Sequence, residues 1–133
     1  MQITRQADYA LRAVHYLAQL SSNAKVSTSE IAEKQEIPLS FLAKIIAQLA
    51  VVGLVHTTRG AHGGVSLART PNEISLLDVV EAIDGPITLN ECVVESHNCT
   101  IENCAMQHVW CNAQEELVDR LRQARFSQFL AVA

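Results

Sequence analysis

Apolar residues recur along the first third of the chain at steps of three and four, the period of a helix with one buried face. Ala10, Leu11, Val14, Leu17 and Ala18 share such a face and predict a helix over residues 4–20, with Thr4 as its N-cap. The polar run Ser21 to Lys25 breaks the period and reads as a loop. Ser27-Thr28-Ser29-Glu30 has the spacing of a capping box and predicts a short helix from about Ile31 to Gln35. Pro38 ends that run, because the residue before a proline is pushed out of the helical region. Leu42, Ile45, Ile46 and Leu49 then form the inward stripe of a third helix over residues 40–51, with Gly53 as its terminator. Two short helices joined through Glu36-Ile37-Pro38-Leu39 have the spacing of a helix-turn-helix.

The period then changes from helical to extended. Residues 54–58 and 65–68 read as short strands around Arg59-Gly60-Ala61-His62-Gly63-Gly64, where three glycines in six residues permit a reversal. Helix, turn, helix and glycine-tipped hairpin is the order of a winged helix. Ser75 is placed to cap a helix over 76–84 that Gly85-Pro86 ends, and residues 87–103 show no period and read as a loop. From about Cys104 to Ala124 a longer helix is expected. Along it Trp110, Ala113, Leu117, Leu121 and Ala124 make a seam like that of a coiled coil. Such an edge on a terminal helix fits a dimer interface, with packing on its own body as the alternative. Residues 126–133 read as a short apolar tail, another helical turn or two. The fold class is therefore mainly α with a small β-hairpin wing: a winged helix-turn-helix plus a long C-terminal dimerisation helix. Residues 1–86 form the DNA-binding region, 87–104 a cysteine-rich loop, and 105–133 the dimerisation helix and tail, all within one compact domain.

The chain has 133 residues, one domain's worth, and 49% of them are hydrophobic. Only 5% are aromatic, so the core is expected to be aliphatic. No apolar run approaches the ~20 residues that span a bilayer, and the first dozen residues lack the apolar stretch of a signal peptide. A cytoplasmic location, with no membrane partner, is the expectation. The net charge of −4 hides an asymmetry. Residues 1–70 carry seven basic and four acidic side chains, +3; residues 71–133 carry three and ten, −7. A mildly basic face on an acidic body is consistent with nucleic-acid binding by the first half.

Cys92, Cys99, Cys104 and Cys111 are spaced C-x6-C-x4-C-x6-C. In a reducing compartment they read as ligands or sensors rather than disulfides. The gaps are wider than zinc pairs use, and no C-x-x-C of a thiol–disulfide enzyme is present. Loop cysteines can turn several thiolates to one point, as an iron–sulfur centre requires. Three fit as a group: Cys92, Cys99 and Cys104. For a fourth ligand, His108 lies one turn from Cys104, while Cys111 lies about 10 Å further along the helix axis and is otherwise a small buried hydrophobe. No nucleophile with a base, no paired carboxylates and no phosphate loop followed by a helix is present, so no enzyme activity and no small organic substrate are expected.

Ala7-Asp8-Tyr9-Ala10-Leu11-Arg12-Ala13, the stretch Leu49 to Leu54, Arg59-Gly60, Gly63-Gly64, the run Ile74 to Gly85 and the cysteine loop together resemble the Rrf-two family of bacterial winged-helix regulators. That group includes IscR, NsrR and RirA, and the likeness covers nearly the whole chain. The resemblance implies a homodimer with crossed long helices and one cluster per subunit, held by Cys92, Cys99 and Cys104. IscR-like members place a histidine three residues after the third cysteine, where this chain has Gln107. NsrR-like members use an aspartate from the partner's first helix, and Asp8 occupies the matching place. The implied order for the fourth ligand is the partner subunit's Asp8, then His108, then Cys111. Gln107 tilts the expected cofactor toward a 4Fe–4S cluster, with 2Fe–2S as the alternative.

On this reading the helix over 40–51 enters the major groove of a double-stranded operator, offering Ser40, Lys44 and Gln48. Lys44 suits phosphate or guanine and Gln48 suits adenine. Arg59 at the wing suits a narrow minor groove, and Arg5, Thr57, Thr58 and His62 are candidates for phosphates. The expected function is a repressor that senses iron or cluster status, nitric oxide or redox stress. The alternatives are a metal-free thiol-redox-sensing regulator, a zinc-stabilised regulator, and an adaptor that binds a protein through its acidic half.

Overall fold

Helix α1 covers Arg5–Ala18 and begins where the hydrophobic pattern places it, the Thr4 hydroxyl accepting from the amide of Ala7 at 3.1 Å. A computed structural model describes residues 2–21, 24–90 and 104–130 of the chain. The buried side of α1 is made almost wholly of small residues, Ala7, Ala10, Ala13, Val14, Leu17 and Ala18. Helix α2, Thr28–Gln35, is capped by Ser27, whose hydroxyl accepts from the Glu30 amide at 3.1 Å. It ends on Glu36, which takes a left-handed conformation at φ 55°. Pro38 then stands at the N-cap of α3, Leu39–Val51, which starts one residue earlier than the sequence pattern indicates. A proline there loses nothing, since the first amides of a helix have no intrahelical acceptor.

Strands β1, Val55–Thr58, and β2, Gly64–Leu67, pair antiparallel from Val55 opposite Leu67 to Thr58 opposite Gly64. One further pairing is not evident from the sequence. Val26 exchanges two backbone hydrogen bonds with Val65, at 3.0 and 2.7 Å, and so ties the α1–α2 connection to the outer edge of β2. A single 3-10 turn at Pro71–Glu73 leads to α4, Leu76–Asp84. Here the capping box is complete. The Ser75 hydroxyl accepts from the Asp78 amide at 3.0 Å, and the Asp78 carboxylate accepts from the Ser75 amide at 2.9 Å. Helix α5, Met106–Gln123, starts two residues after Cys104. Among the described residues no helix is long and apolar enough to cross a membrane.

The main core joins α1, α2, α3, the hairpin and the start of α4, with Val14, Ile31, Leu42, Ile45, Leu49, Leu54, Val55, Ile74 and Val79 almost fully enclosed. It is aliphatic, as composition implies, with one exception contributed by the far end of the chain. After α5 the backbone turns back beside the start of α4. The Leu76 amide donates to Ala124 O at 2.9 Å, and the Phe126 amide donates to Ile74 O at 3.0 Å. Phe126 is thereby set into the core at 2% exposure, inside a 3-10 turn over Phe126–Phe129. Nε2–H of His15 on α1 donates to the Phe129 carbonyl at 2.8 Å. The tail thus contains the expected helical turn, of 3-10 type, and is fastened to the body at three points. Residues 131–133 of the predicted tail lie outside the described residues.

A second, smaller cluster of Leu77, Val80 and Ile87 receives Leu117, Val118 and Leu121 of α5. The predicted seam therefore divides along its length. Its C-terminal half packs on its own body, because the α4 surface lies beneath it. In its N-terminal half Ala113 is half-buried and Trp110 is 39% exposed, and beside the seam Met106 and Val109 are exposed at 62% and 67%.

Removing the Phe126 ring leaves a cavity that backbone bonds hold open. Phe126→Ala is expected to lower stability by about 3–5 kcal/mol, read as a lower midpoint in chemical denaturation. An unchanged midpoint would mean that the tail does not close the core.

Candidate nucleic-acid interface and metal-ligand positions

Burial of Leu42, Ile45, Ile46 and Leu49 decides which side of α3 faces outward. A rotation of about 100° per residue then puts Ser40, Lys44 and Gln48 on the opposite side, and all three are exposed. Between them on the same exposed face lie Ala43, Ala47 and Val51, which a search for polar contacts passes over. The start of α3 leans on α1. The rings of Phe41 and Tyr9 are 6.5 Å apart between centroids, and the Arg12 guanidinium sits 5.7 Å above the Tyr9 ring.

The hairpin tip is shaped by its glycines. Gly60 takes φ 101°, a backbone that other residues rarely adopt. At Gly63 the requirement is space, since a Cβ there would stand 2.2 Å from the Thr58 carbonyl oxygen. The tip is closed by the Gly63 amide donating to Gly60 O at 3.0 Å and the Gly64 amide donating to the Thr58 hydroxyl at 3.2 Å. Thr57, Thr58, Arg59 and His62 are all exposed on this projection. Arg5 stands elsewhere, at the start of α1, where it lines an open hollow of about 400 Å³ with Gln2, Ile3, Thr4 and Asp8.

Asp8 belongs to the first turn of α1, and that turn is anchored to the end of α4. The Thr4 amide donates to the Asp84 carboxylate at 3.1 Å, and the Thr4 hydroxyl donates to its other oxygen. The Asp8 carboxylate pairs with Arg12 at 2.9 Å, with both side chains about half exposed. Such a surface pair contributes about 0–1 kcal/mol, a weak restraint on the carboxylate.

Cys104 is half-buried immediately ahead of α5, and its carbonyl accepts from the Gln107 amide at 3.1 Å. Cys111 is half-buried two turns on, His108 between them is exposed, and neither thiol is in a disulfide. Cys92 and Cys99 lie outside the described residues. Among the described residues no three His, Cys, Asp or Glu side chains converge as a metal site. The structure thus brings Ser40, Lys44 and Gln48 together on α3 and Thr57, Thr58, Arg59 and His62 together on the wing. It keeps Asp8 on a different element from Cys104.

Residues 3–131 match the sequence profile of the Rrf2 (Rrf-two) family, described as iron-dependent transcriptional regulators. The chain is 33% identical over 125 residues to the HTH-type transcriptional regulator NsrR of Bacillus licheniformis, covering 92% of this chain and 87% of that protein. Its fold is similar to that of IscR from T. potens, with a TM-score of 0.78 and 26% identity over 97% of this chain and 85% of that one. CymR, the global cysteine regulator of B. subtilis, superimposes with a TM-score of 0.81 over 97% of this chain and 95% of that one; at 23% identity this shows a shared fold.

The lack of room at Gly63 gives a test of the wing. Gly63→Ala is expected to open the tip, with amide hydrogen exchange at Gly64 accelerated at least tenfold while amides in α1 keep their protection. Unchanged exchange at Gly64 would show that the tip accommodates a side chain.

Proposed function

Because the chain belongs to the Rrf2 family of transcriptional regulators, we propose that it is a repressor whose hold on DNA is set by an iron–sulfur cluster. The observation that carries the DNA reading is the face of α3: a buried aliphatic stripe on one side, and Ser40, Lys44 and Gln48 exposed on the other. Arg59 and His62 on the wing, with Thr57 and Thr58 behind them, add contacts to the backbone or minor groove. Arg5 is the remaining candidate for a phosphate. Regulators of this family bind DNA and act as dimers. That suits a reading helix with a single cation, since two half-sites supply the phosphate contacts that one cannot. The uncovered Met106, Val109 and Trp110 on α5 are the natural seat of the second copy.

The metal reading rests on donor chemistry. Three thiolates at Cys92, Cys99 and Cys104 suit iron, and the partner subunit's Asp8 is the best fourth donor. Asp8 and Cys104 belong to different elements, the first turn of α1 and the start of α5, and ligation across the dimer is the arrangement we favour. His108 and Cys111 follow in that order. The set favours a 4Fe–4S cluster over 2Fe–2S. When bound, such a cluster supplies iron that oxidants or nitric oxide can attack. The chain's own part is mechanical. Cys104 opens α5, Asp8 sits in the first turn of α1, and α1 carries Tyr9 against Phe41 at the start of the reading helix. A tie between Cys104 and Asp8 therefore bears on the spacing of the two α3 helices. Residues 1–86 read DNA, 87–104 hold the cluster, and of 105–133 the N-terminal half of α5 pairs the subunits, in a cytoplasmic protein with no small organic substrate.

The test is iron and sulfide content with a visible spectrum of protein purified without oxygen. Serine at Cys92, Cys99 and Cys104 is expected to abolish colour and weaken operator binding at least tenfold, and Asp8→Ala to lower iron content more than His108→Ala or Cys111→Ala. Lys44→Ala should reduce the salt dependence of binding by about one ion per reading helix. An iron-free protein whose DNA binding responds to peroxide would replace this account with a metal-free thiol sensor. Stoichiometric zinc would replace it with a zinc-stabilised regulator.

A further inference from the structure

The outermost line of α3 is uncharged and without long side chains, and this bears on what the helix can read. With about 100° per residue, Ser40, Ala47 and Val51 project within about 40° of one another, almost opposite the buried stripe. Ala43 lies on one flank, and Lys44 and Gln48 lie on the other. All six are exposed, Val51 at 86%. A reading helix with Ser, Ala and Val at its centre and a second Ala on its flank can settle close to the floor of the major groove. Once there, the two alanines present methyl groups and nothing that donates or accepts a hydrogen bond.

Against that surface the four base pairs differ. Guanine O6 and N7 and the cytosine amine would be left without partners opposite an alanine, whereas the thymine C5 methyl packs against it. Gln48, on the neighbouring flank, has the carboxamide that pairs with adenine N6 and N7. Alanines and a glutamine on one exposed face thus both favour A·T pairs. We propose that Ala43 and Ala47 are specificity-determining residues that read thymine methyl groups, so that each half-site of the operator is centred on consecutive A·T pairs. This rests on the DNA-binding reading above and adds to it the chemistry of the ligand.

The experiment has two stages, so that the two readings fail separately. The full chain, purified without oxygen, is used to select duplexes from a random-sequence DNA library, and each thymine of the enriched site is then replaced singly by deoxyuridine, which removes only the C5 methyl. Enrichment of sites with consecutive A·T pairs in each half is expected. So is a loss of about fourfold in affinity at one or two thymines per half-site, the worth of one buried methyl group. Ala47→Ser, which keeps the exposed helix intact, should shrink the thymine-to-uracil ratio at one of those positions toward one. Failure to enrich any sequence would overturn the DNA-binding reading itself. Enrichment of half-sites centred on G·C pairs, or equal affinity for thymine and uracil at every position, would overturn the proposal and leave DNA binding standing.

Discussion

The burial of Leu42, Ile45, Ile46 and Leu49 against α1 and the hairpin is the constraint on which the rest of the molecule depends. A helix shows its neighbours only one side, and four aliphatic side chains leave α3 no choice of side. Turning it by one residue would expose an isoleucine and bring Lys44 toward a core with no partner for its charge. The outward face is therefore determined by what the inward face cannot give up. The small-residue side of α1 serves the same end, since it fills the space behind α3 without pushing it outward.

The two ends of the chain are secured to that body in different ways. The first turn of α1 is held by polar contacts, Thr4 to the Asp84 carboxylate and Asp8 to Arg12, all at the surface. The last described turn is held by burial, with Phe126 in the core and backbone bonds to either side of Ser75. Exposed polar contacts are weak and exchangeable, whereas a buried ring is not. The Asp8–Arg12 contact is accordingly the weaker of these attachments. The tail gives α5 a rigid attachment at its C-terminal end, while in its N-terminal half Met106 and Val109 remain exposed.

Charge follows the same division. The cations of the first half are spread over α1, α2, α3, the wing and the loops, and α3 has only Lys44. Sequence discrimination by such a helix must come from shape and short-range contact more than from attraction, which gives the exposed alanines their interest.

Much of this was legible in the chain itself. Thr4, Ser27 and Ser75 mark helix starts through side-chain bonds that span only three residues, and the glycines of the wing follow from local backbone geometry. The inward stripe of α3 and the exposure of Ser40, Lys44 and Gln48 follow from periodicity. What the sequence could not decide were contacts between distant segments. Periodicity shows that Trp110, Ala113, Leu117 and Leu121 share a face, but not how far α4 extends beneath it. Val26 beside Val65, Asp84 on Thr4, and Phe126 in the core join residues 39, 80 and about 50 positions apart. Such contacts are chosen by the shape left when the other elements have packed, and local pattern carries no record of it.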